Sequence, residues 1–441
     1  MPYIPHTEED TRAMLQAIGA ESIEDFFVEI PESLRLHDEL DIPCALDEYA
    51  IGKALAQIGA KNRSLDKLTS FLGAGIYEHY SPSIVMELIS RGEFLSAYTP
   101  YQPEVSQGSL QTIYEFQSMI CAITGMEVCN ASMYDGATSL AEACIMAVGV
   151  TGRDRILISD SVHPHYRDCV RTFAAAIGCE VQEAPESFLK ERGDKDVACV
   201  VFQYPDFFGR LHDPRDTIRE AHAHGALAIA VCEPIALGAI EPPGAMECDV
   251  VVGEAQPMGV PMGFGGPMVG YFCVKRSLVR AIPGRIVGRT HDKDGRRGFV
   301  MTLRTREQDI RREKATSNIC TNQALMALCA TVWMSAVGKS GFKEMAETCV
   351  RKAYYAFDKL TAIPSVKPTF PGEPFAFEFA LDVGRSASEV RDALLEKDIL
   401  AGLPLGDYYP AHANSLLVAV TEVRSRDEID RFAAELRALL N

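Results

Sequence analysis

Long apolar runs are absent from this sequence of 441 residues. No run reaches the roughly 18–20 apolar residues that a helix needs to span a bilayer, and the longest uncharged helical stretch, 324–337, has the length of a buried core helix. The first ten residues have neither a cationic start nor an apolar core, so they do not resemble a signal peptide. We therefore expect a cytoplasmic protein without a membrane partner.

An excess of positive charge is also missing, since 43 Lys and Arg residues face 61 Asp and Glu residues for a net charge of −18. Nucleic-acid binding needs a cationic face, so we expect no nucleic-acid partner. The 13 cysteines include no Cys-x-x-Cys pair, and several lie in apolar segments, among them Cys199, Cys232 and Cys273. This pattern favours reduced, buried thiols, and it predicts neither disulfides nor a metal site.

Two nucleotide-binding motifs are missing as well. The sequence has no G-x-x-x-x-G-K-[ST] loop and no G-x-G-x-x-G at a junction between a strand and a helix. These absences exclude the mononucleotide-loop and dinucleotide-binding interpretations.

Strand-like and helix-like segments alternate between about residues 110 and 275. The strand-like segments are continuous apolar runs, which are typical of strands buried on both faces. They span 155–160, 198–204, 226–232, 248–253 and 269–274. This alternation predicts an open α/β domain with a mostly parallel sheet, in which ligands bind at the carboxyl ends of the strands.

The flanking regions predict two further units. Residues 1–65 form short helical patterns, with a helix start at Thr7 and Asp10, and we expect a helical arm. Residues 66–315 would then form the large α/β domain. After it, two long helical patterns separated by Gly338 and Gly341 lead into strand-like and helical segments, which predict a small α+β domain over 316–441.

Candidate binding residues stand next to two of these predicted elements, one before a helix and one after a strand. Asp135 and Gly136 stand just before a helical run, where backbone N–H groups bind anions, although an ordinary capped helix has the same pattern. His163 and His165 come directly after a strand, where they could stack on a ring, bind a metal or simply belong to a polar surface loop. Their i, i+2 spacing, with Pro164 between them, is poor for a helical metal site. Both segments are candidate binding sites.

Three loops carry a weaker signal. The proline-containing loop 94–108 offers Tyr98, Tyr101 and Gln102 for recognition, although such a loop can also be packed. The glycine-rich segment 251–270 indicates a close approach of the backbone to a ligand or to another backbone. Residues 275–314 have a local balance of +8, which favours an anionic partner or a solvated face neutralised by the acidic remainder.

Together these segments resemble the glycine-cleavage P-protein family, and within it the first chain of the split form. The matching segments are YIPHTEED (3–10), FLGAGIYEHYSP (71–82), AYTPYQPEVSQG (97–108), NASMYDGATSLAEA (130–143), GVPMGFGGP (259–267), PGRIVG (283–288) and TREQDIRREKATSNICTNQAL (305–325). The resemblance implies the type I (aminotransferase) fold of pyridoxal-phosphate enzymes, with a seven-stranded sheet and a small C-terminal domain. It also implies an aminomethyl-transferring glycine dehydrogenase, which decarboxylates glycine on pyridoxal phosphate and passes the aminomethyl group to the lipoyl arm of the H-protein.

A lysine that would anchor this cofactor is missing. In the companion chain of the family, the lysine lies eleven residues before the proline of a Gly-Gly-Pro; here that position, counted from Pro267, is Gln256. An amide cannot form an imine. No lysine occurs between Lys195 and Lys275, and Glu233 stands where relatives would place an Asp against the pyridinium nitrogen, one methylene longer.

These departures imply a catalytically incomplete chain. We expect a complex with two copies each of this chain and subunit 2, in which subunit 2 holds the cofactor covalently and this chain lines the shared active site with Tyr98, Tyr101 and Gln102. Asp135, Gly136, His163, Glu233 and Gln256 would belong to a vestigial or interface pocket. Two alternatives stay open: a scaffold or regulatory subunit without a catalytic role, and an independently active aminotransferase or lyase.

Overall fold

The computed structural model describes residues 5–185, 196–315 and 317–441, which fall into two compact units, Met1–Arg63 and Ser64–Asn441. The first unit contains helices α1 (Glu8–Ile18) and α2 (Glu48–Gly59). Thr7 and Asp10 form a capping box at the start of α1, which confirms the helix start predicted there. None of the described residues of this unit is buried, and many large apolar side chains are exposed.

The second unit is built on a seven-stranded sheet with the order β2-β8-β7-β6-β5-β3-β4. Its strands are β2 (Val128–Cys129), β3 (Arg155–Ser159), β4 (Glu180–Ala184), β5 (Val197–Tyr204), β6 (Leu227–Cys232), β7 (Val250–Glu254) and β8 (Gly270–Val274). Neighbours are parallel from β7 through β6, β5 and β3 to β4, and β8 is antiparallel to both of its neighbours. The sequence prediction of a mostly parallel sheet is confirmed.

Both faces of this sheet are buried, as the continuous apolar runs predicted. Val250 and Val252 of β7 pack into one hydrophobic core, whereas Val251 packs into the other, because successive side chains of a strand point to opposite faces. One core includes Leu140 of helix α6 (Gly136–Thr151), and the other includes Phe116 of helix α5 (Gln107–Thr124). The sheet therefore lies between two layers of helices.

The second unit contains further described helices. They are α3 (Ser83–Ile89), α4 (Gly92–Leu95), α7 (Pro164–Ala176), α8 (Arg215–Ala223), α9 (Gln308–Arg311), α10 (Ala324–Thr361), α11 (Ala387–Leu395) and α12 (Arg426–Leu440). The remaining strands are β1 (Thr69–Ser70), β9 (Ile286–His291), β10 (Arg297–Thr302), β11 (Lys367–Pro368), β12 (Glu378–Asp382), β13 (Ile399–Leu400), β14 (Leu403–Pro404) and β15 (Ser415–Ala419).

The C-terminal part contains the antiparallel sheet β11-β12-β15-β14, and β1 pairs in parallel with β13. This arrangement agrees with an α+β region near the end of the chain. The domain boundaries at 65 and 315 stay predictions, because the second compact unit runs without division from Ser64 to Asn441.

Helix α10 is interrupted at Gly338, whose backbone has φ 64° and ψ 175°. The two helices predicted here are thus two arms of one long element with a kink between them. By length and composition, α10 is the one helix in the described part of the chain that is long and apolar enough to cross a membrane. Half of its most apolar window is buried inside the fold, and Trp333 lies in the core, as in a core helix.

Candidate active site

A cleft lies at the carboxyl ends of the central parallel strands. Glu233 follows β6 directly, Glu254 ends β7, and His163 lies between β3 and α7. These three side chains and Tyr166 line a cavity of about 30 Å³. The parallel sheet brings them together, as the strand order requires. We call His163, Tyr166, Glu233, Glu254 and Gln256 the closed cleft.

Carboxylates of the chain itself occupy the N-terminal end of α6. The Asp135 side chain caps the helix by accepting a hydrogen bond from Thr138 N (2.7 Å), so the ordinary capped helix left open by the sequence is present. Glu254 Oε2 accepts from Gly136 N (3.0 Å). Gly136 also lies so close to Tyr166 that a Cβ atom would stand 2.2 Å from the tyrosine hydroxyl.

Both carboxylate oxygens of Glu254 accept hydrogen bonds from backbone N–H groups. Its Oε1 atom accepts hydrogen bonds from Gln256 N (2.9 Å) and Val269 N (2.8 Å). Burial raises the pKa of Glu254 to about 7, although these hydrogen bonds lower it. A carboxylate therefore takes the backbone donors that the sequence pattern would have offered to a phosphate.

Gln256 is buried, with 3% of its surface exposed, and its amide is paired at both ends. Oε1 accepts from Tyr77 N (3.2 Å), and Nε2 donates to the carbonyl of Val260 (2.9 Å). The side chain thus joins two loops. It has no nucleophilic amine and no free polar atom for a ligand.

Two further predicted residues are also satisfied within the chain. His163 Nε2 bonds the carbonyl of Ala74 (2.9 Å), and burial lowers the pKa of His163 to about 4, so the ring is neutral. Glu233 accepts from Ile235 N (3.1 Å) and Ala236 N (2.7 Å) of the turn that follows it. Burial raises the pKa of Glu233 to about 7.

Pyridoxal phosphate, the cofactor implied by the resemblance, does not fit the residues of this cleft. Glu254 already accepts the hydrogen bond of Gly136 N at the start of α6, where the sequence pattern would bind a phosphate, and Gln256, which the resemblance puts at the anchoring position, is a buried amide. Two neighbouring carboxylates, Asp135 and Glu254, would also repel a phosphate. These residues therefore offer the cofactor neither a covalent anchor nor free backbone donors for its phosphate.

The predicted catalytic loop lies apart from the residues that line the closed cleft. Tyr98 and Tyr101 expose 80% and 48% of their surfaces. The guanidinium carbons of Arg285 and Arg304 stand 5.8 and 5.4 Å from the ring centroid of Tyr101. Gln102, also exposed, precedes a short 3-10 helix. We call residues 98–102 the tyrosine loop.

Arg285 anchors this loop from inside the protein. It is buried, donates to Thr99 Oγ1 (3.2 Å) and to the carbonyl of Cys320 (2.9 Å), and lies 3.8 Å from Glu307. Three buried polar atoms here have no hydrogen-bond partner, namely Arg285 Nε, Arg304 Nε and Glu307 Oε1. The basic segment predicted from composition thus contributes two cations to the support of Tyr101.

Sequence reasoning missed Glu254 and Tyr166, which close the cleft. Glu254 had a usable signal, because it is a carboxylate at the carboxyl end of an apolar strand. It also missed a buried group in which Glu422 Oε2 bonds His79 Nδ1 (2.6 Å) and accepts from Cys349 Sγ (3.3 Å). Tyr80 N donates to the second oxygen of Glu422 (2.6 Å), so this group joins three segments by hydrogen bonds.

Comparison with known proteins agrees with the resemblance. The glycine cleavage system P-protein family matches residues 1–436. The probable glycine dehydrogenase (decarboxylating) subunit 1 of Geobacillus kaustophilus is 52% identical over 442 residues, covering 98% of both chains. The protein of the same description from Anoxybacillus flavithermus is 50% identical over 441 residues, with the same coverage.

Solved structures give the same result at two levels of similarity. The crystal structure of an inhibitor-bound glycine decarboxylase (P-protein) superimposes with a TM-score of 0.90 at 41% identity, covering 100% of both chains. A sphingosine-1-phosphate lyase from Burkholderia pseudomallei has a TM-score of 0.65 at 15% identity over 92% of both chains, which concerns the fold alone.

Proposed function

Because the chain belongs to the glycine cleavage system P-protein family, we propose that it is one subunit of a glycine decarboxylase whose cofactor is anchored in a partner chain. The chain has the type I fold of pyridoxal-phosphate enzymes. Its curated relatives are described as subunit 1, which supports a partner subunit. We infer two copies of each chain in a cytoplasmic complex.

The buried amide of Gln256 carries this proposal. It stands where the family's anchoring lysine would be, and both ends of the amide are held by the backbone. Pyridoxal phosphate, when bound, accepts the electron pair that remains when carbon dioxide leaves an amino acid. A chain without an anchoring amine would act on a cofactor held by the partner chain.

The tyrosine loop is the part of this chain that we assign to the shared site. Tyr98 exposes its ring and hydroxyl, and Tyr101 is oriented by Arg285 and Arg304 without being buried. Hydroxyl and amide groups on a fixed loop can orient glycine and donate hydrogen bonds to it. Tyr98, Tyr101 and Gln102 would therefore form one wall of the site opposite the partner's lysine.

The basic segment supports a second contact, with the H-protein. Residues 275–314 include the β9–β10 hairpin, in which Arg289, Arg296 and Arg297 are exposed. Such a surface favours an anionic partner. We infer that the H-protein docks on it while its lipoyl arm receives the aminomethyl group.

Tyr101→Phe in the assembled complex tests the role of the loop. Removing the hydroxyl should reduce glycine decarboxylation by about 10- to 100-fold, as expected for the loss of a positioned polar group, while the amount of complex stays the same. Tyr354→Phe, a change of another exposed tyrosine on α10, is the matched control and should keep full turnover. Turnover equal to that of the unmodified complex would remove Tyr101 from the site.

The exchange of bicarbonate with glycine separates the proposal from its alternatives. Subunit 2 alone should exchange far more slowly than subunit 2 with this chain, because one wall of the site would be missing. Equal rates would indicate a scaffold. Exchange by this chain alone, or borohydride-trapped cofactor on it, would indicate an independent pyridoxal-phosphate enzyme.

A further inference from the structure

A second cavity, of about 430 Å³, lies beside the closed cleft. It is bounded by residues 72–76, the start of α6, the start of α7, and Tyr408. Its volume is within the range of sites that bind small organic molecules. We call it the side cavity.

One wall of the side cavity is a continuous group of aromatic rings. The ring centroid of His163 lies 4.9 Å from that of Tyr166 and 4.9 Å from that of Phe207. His165 packs edge-on against Tyr408, with 5.3 Å between centroids, and also lies 5.3 Å from His163. The faces of such rings carry negative electrostatic potential.

The charged groups of the side cavity are negative. Asp135 and Glu254 supply carboxylates, and no Lys or Arg is among the described residues that line it. The buried ring of His163 is neutral, because burial lowers its pKa to about 4. The nearby helix-end donors are already taken, since Gly136 N bonds Glu254 and Thr138 N bonds Asp135.

The same chain contains a similar arrangement that is completed by its own cation. In another cavity, of about 360 Å³, the guanidinium carbon of Arg210 lies 4.5 Å from the ring centroid of Phe370 and 5.2 Å from that of Phe208. Asp206 and Glu373 pair with this arginine. Aromatic rings with two carboxylates thus accommodate a cation in this fold.

We propose that the side cavity binds a small organic cation, an amine with an apolar body, against its aromatic wall and near the carboxylates of Asp135 and Glu254. A cation is attracted by the ring faces and by both carboxylates, whereas an anion is repelled by them. The side cavity therefore favours a cationic ligand over an anionic one. This proposal does not depend on the partner subunit.

Three probes with the same ring and different charges test it: benzylammonium, benzyl alcohol and benzoate. Each is titrated into the full-length chain by calorimetry at about pH 8, where most of the Glu254 carboxyl groups are ionised if the pKa is about 7. Benzylammonium should bind at least about tenfold more tightly than benzyl alcohol, and benzoate and inorganic phosphate should give no measurable binding.

Asp135→Asn assigns the binding to this cavity. Asparagine caps a helix as well as aspartate does, so the fold is retained while one negative charge is lost. The affinity for benzylammonium should fall by about fivefold or more. Asp168→Asn, at an exposed carboxylate of α7 outside the cavity, should leave the affinity unchanged. Binding of benzoate or phosphate as tight as that of benzylammonium, or the same affinity after Asp135→Asn, would overturn the proposal.

Discussion

The closed cleft and the tyrosine loop are opposite in their hydrogen bonding and exposure. In the closed cleft, Glu233, Glu254 and Gln256 bond the chain's own backbone, and the space left is about 30 Å³. In the tyrosine loop, two aromatic hydroxyls are exposed on a segment held by Arg285. The residues of the cleft are thus held by hydrogen bonds within the chain, whereas the loop presents exposed side chains, which we propose act in the shared site.

The largest effect on stability is expected when Gln256 of the closed cleft is replaced by lysine. Gln256→Lys places an ammonium at a buried position and removes both amide hydrogen bonds, so the free energy of unfolding should fall by about 3 kcal/mol. After excess pyridoxal phosphate is removed by gel filtration, the variant should retain no more visible absorbance than the unmodified chain, because Glu254 and Tyr166 remain. Denaturant unfolding and spectrophotometry measure the two outcomes.

Gln111→Lys is the control for this change, since Gln111 pairs with Glu115 on α5 and a lysine can do the same. Its unfolding free energy should stay within about 0.5 kcal/mol of the unmodified value. A stable Gln256→Lys chain that turned yellow with the cofactor would show that the cleft is open, and the contrast with the tyrosine loop would fail.

A smaller effect concerns the pH dependence of stability. The pKa of Glu254 is raised by burial from 4.5 to about 7, so the folded state binds a proton more tightly than the unfolded state. This contribution is complete below pH 4.5 and is lost as the pH rises through about 7, at a cost of about 3 kcal/mol. Glu254→Gln should therefore reduce the fall in stability between these pH values.

The slope would be reduced rather than removed, because burial also raises the pKa values of Glu233 and Glu378 to about 7. Unfolding free energies measured at a series of pH values test the prediction, with Glu344→Gln on the exposed side of α10 as control. A Glu254→Gln chain with the same slope as the unmodified protein would contradict the burial of this charge.

The smallest effect on stability is expected in the tyrosine loop. Tyr98→Phe removes one hydroxyl from a residue that is 80% exposed, so the free energy of unfolding should change by less than about 0.5 kcal/mol. Glycine decarboxylation by the assembled complex should nevertheless fall severalfold. Thermal unfolding and turnover are measured on the same variant. A loss of stability without a loss of activity would contradict the assignment of the tyrosine loop to the shared site.

The large domain was predictable because its signals are local. Apolar runs indicated the central strands β3, β5, β6, β7 and β8 within two residues of their observed ends. The edge strand β4 was not recognised, because its segment Glu180–Ala184 is largely polar and partly exposed. The β9–β10 hairpin was missed because the basic segment has no strong apolar alternation.

The sequence pointed to some segments of the cleft but not to the contacts between them, and the roles of the chosen residues stay predictions. Asp135 and His163 were chosen from local patterns and Gln256 from the family resemblance, and the sheet brings their segments to one edge. The bond between Glu254 and Gly136 joins residues 118 positions apart, so no local pattern contains it. The glycine-rich segment indicated close approach to a ligand or a backbone, and at Gly270 the neighbour is the carbonyl oxygen of Asp135, 2.3 Å from where a Cβ would stand.

The kink of α10 depends on a single glycine, whose lack of a Cβ atom permits backbone angles that L-residues avoid. At φ 64° and ψ 175°, Gly338 is in a region that L-amino acids avoid, yet a Cβ there would meet nothing within 4 Å. The constraint is therefore one of handedness and not of space. The backbone angles at this kink are ones that a D-residue prefers. A D-alanine introduced here by chemical ligation should therefore reduce the backbone flexibility between the two arms of α10 without changing the structure of either arm.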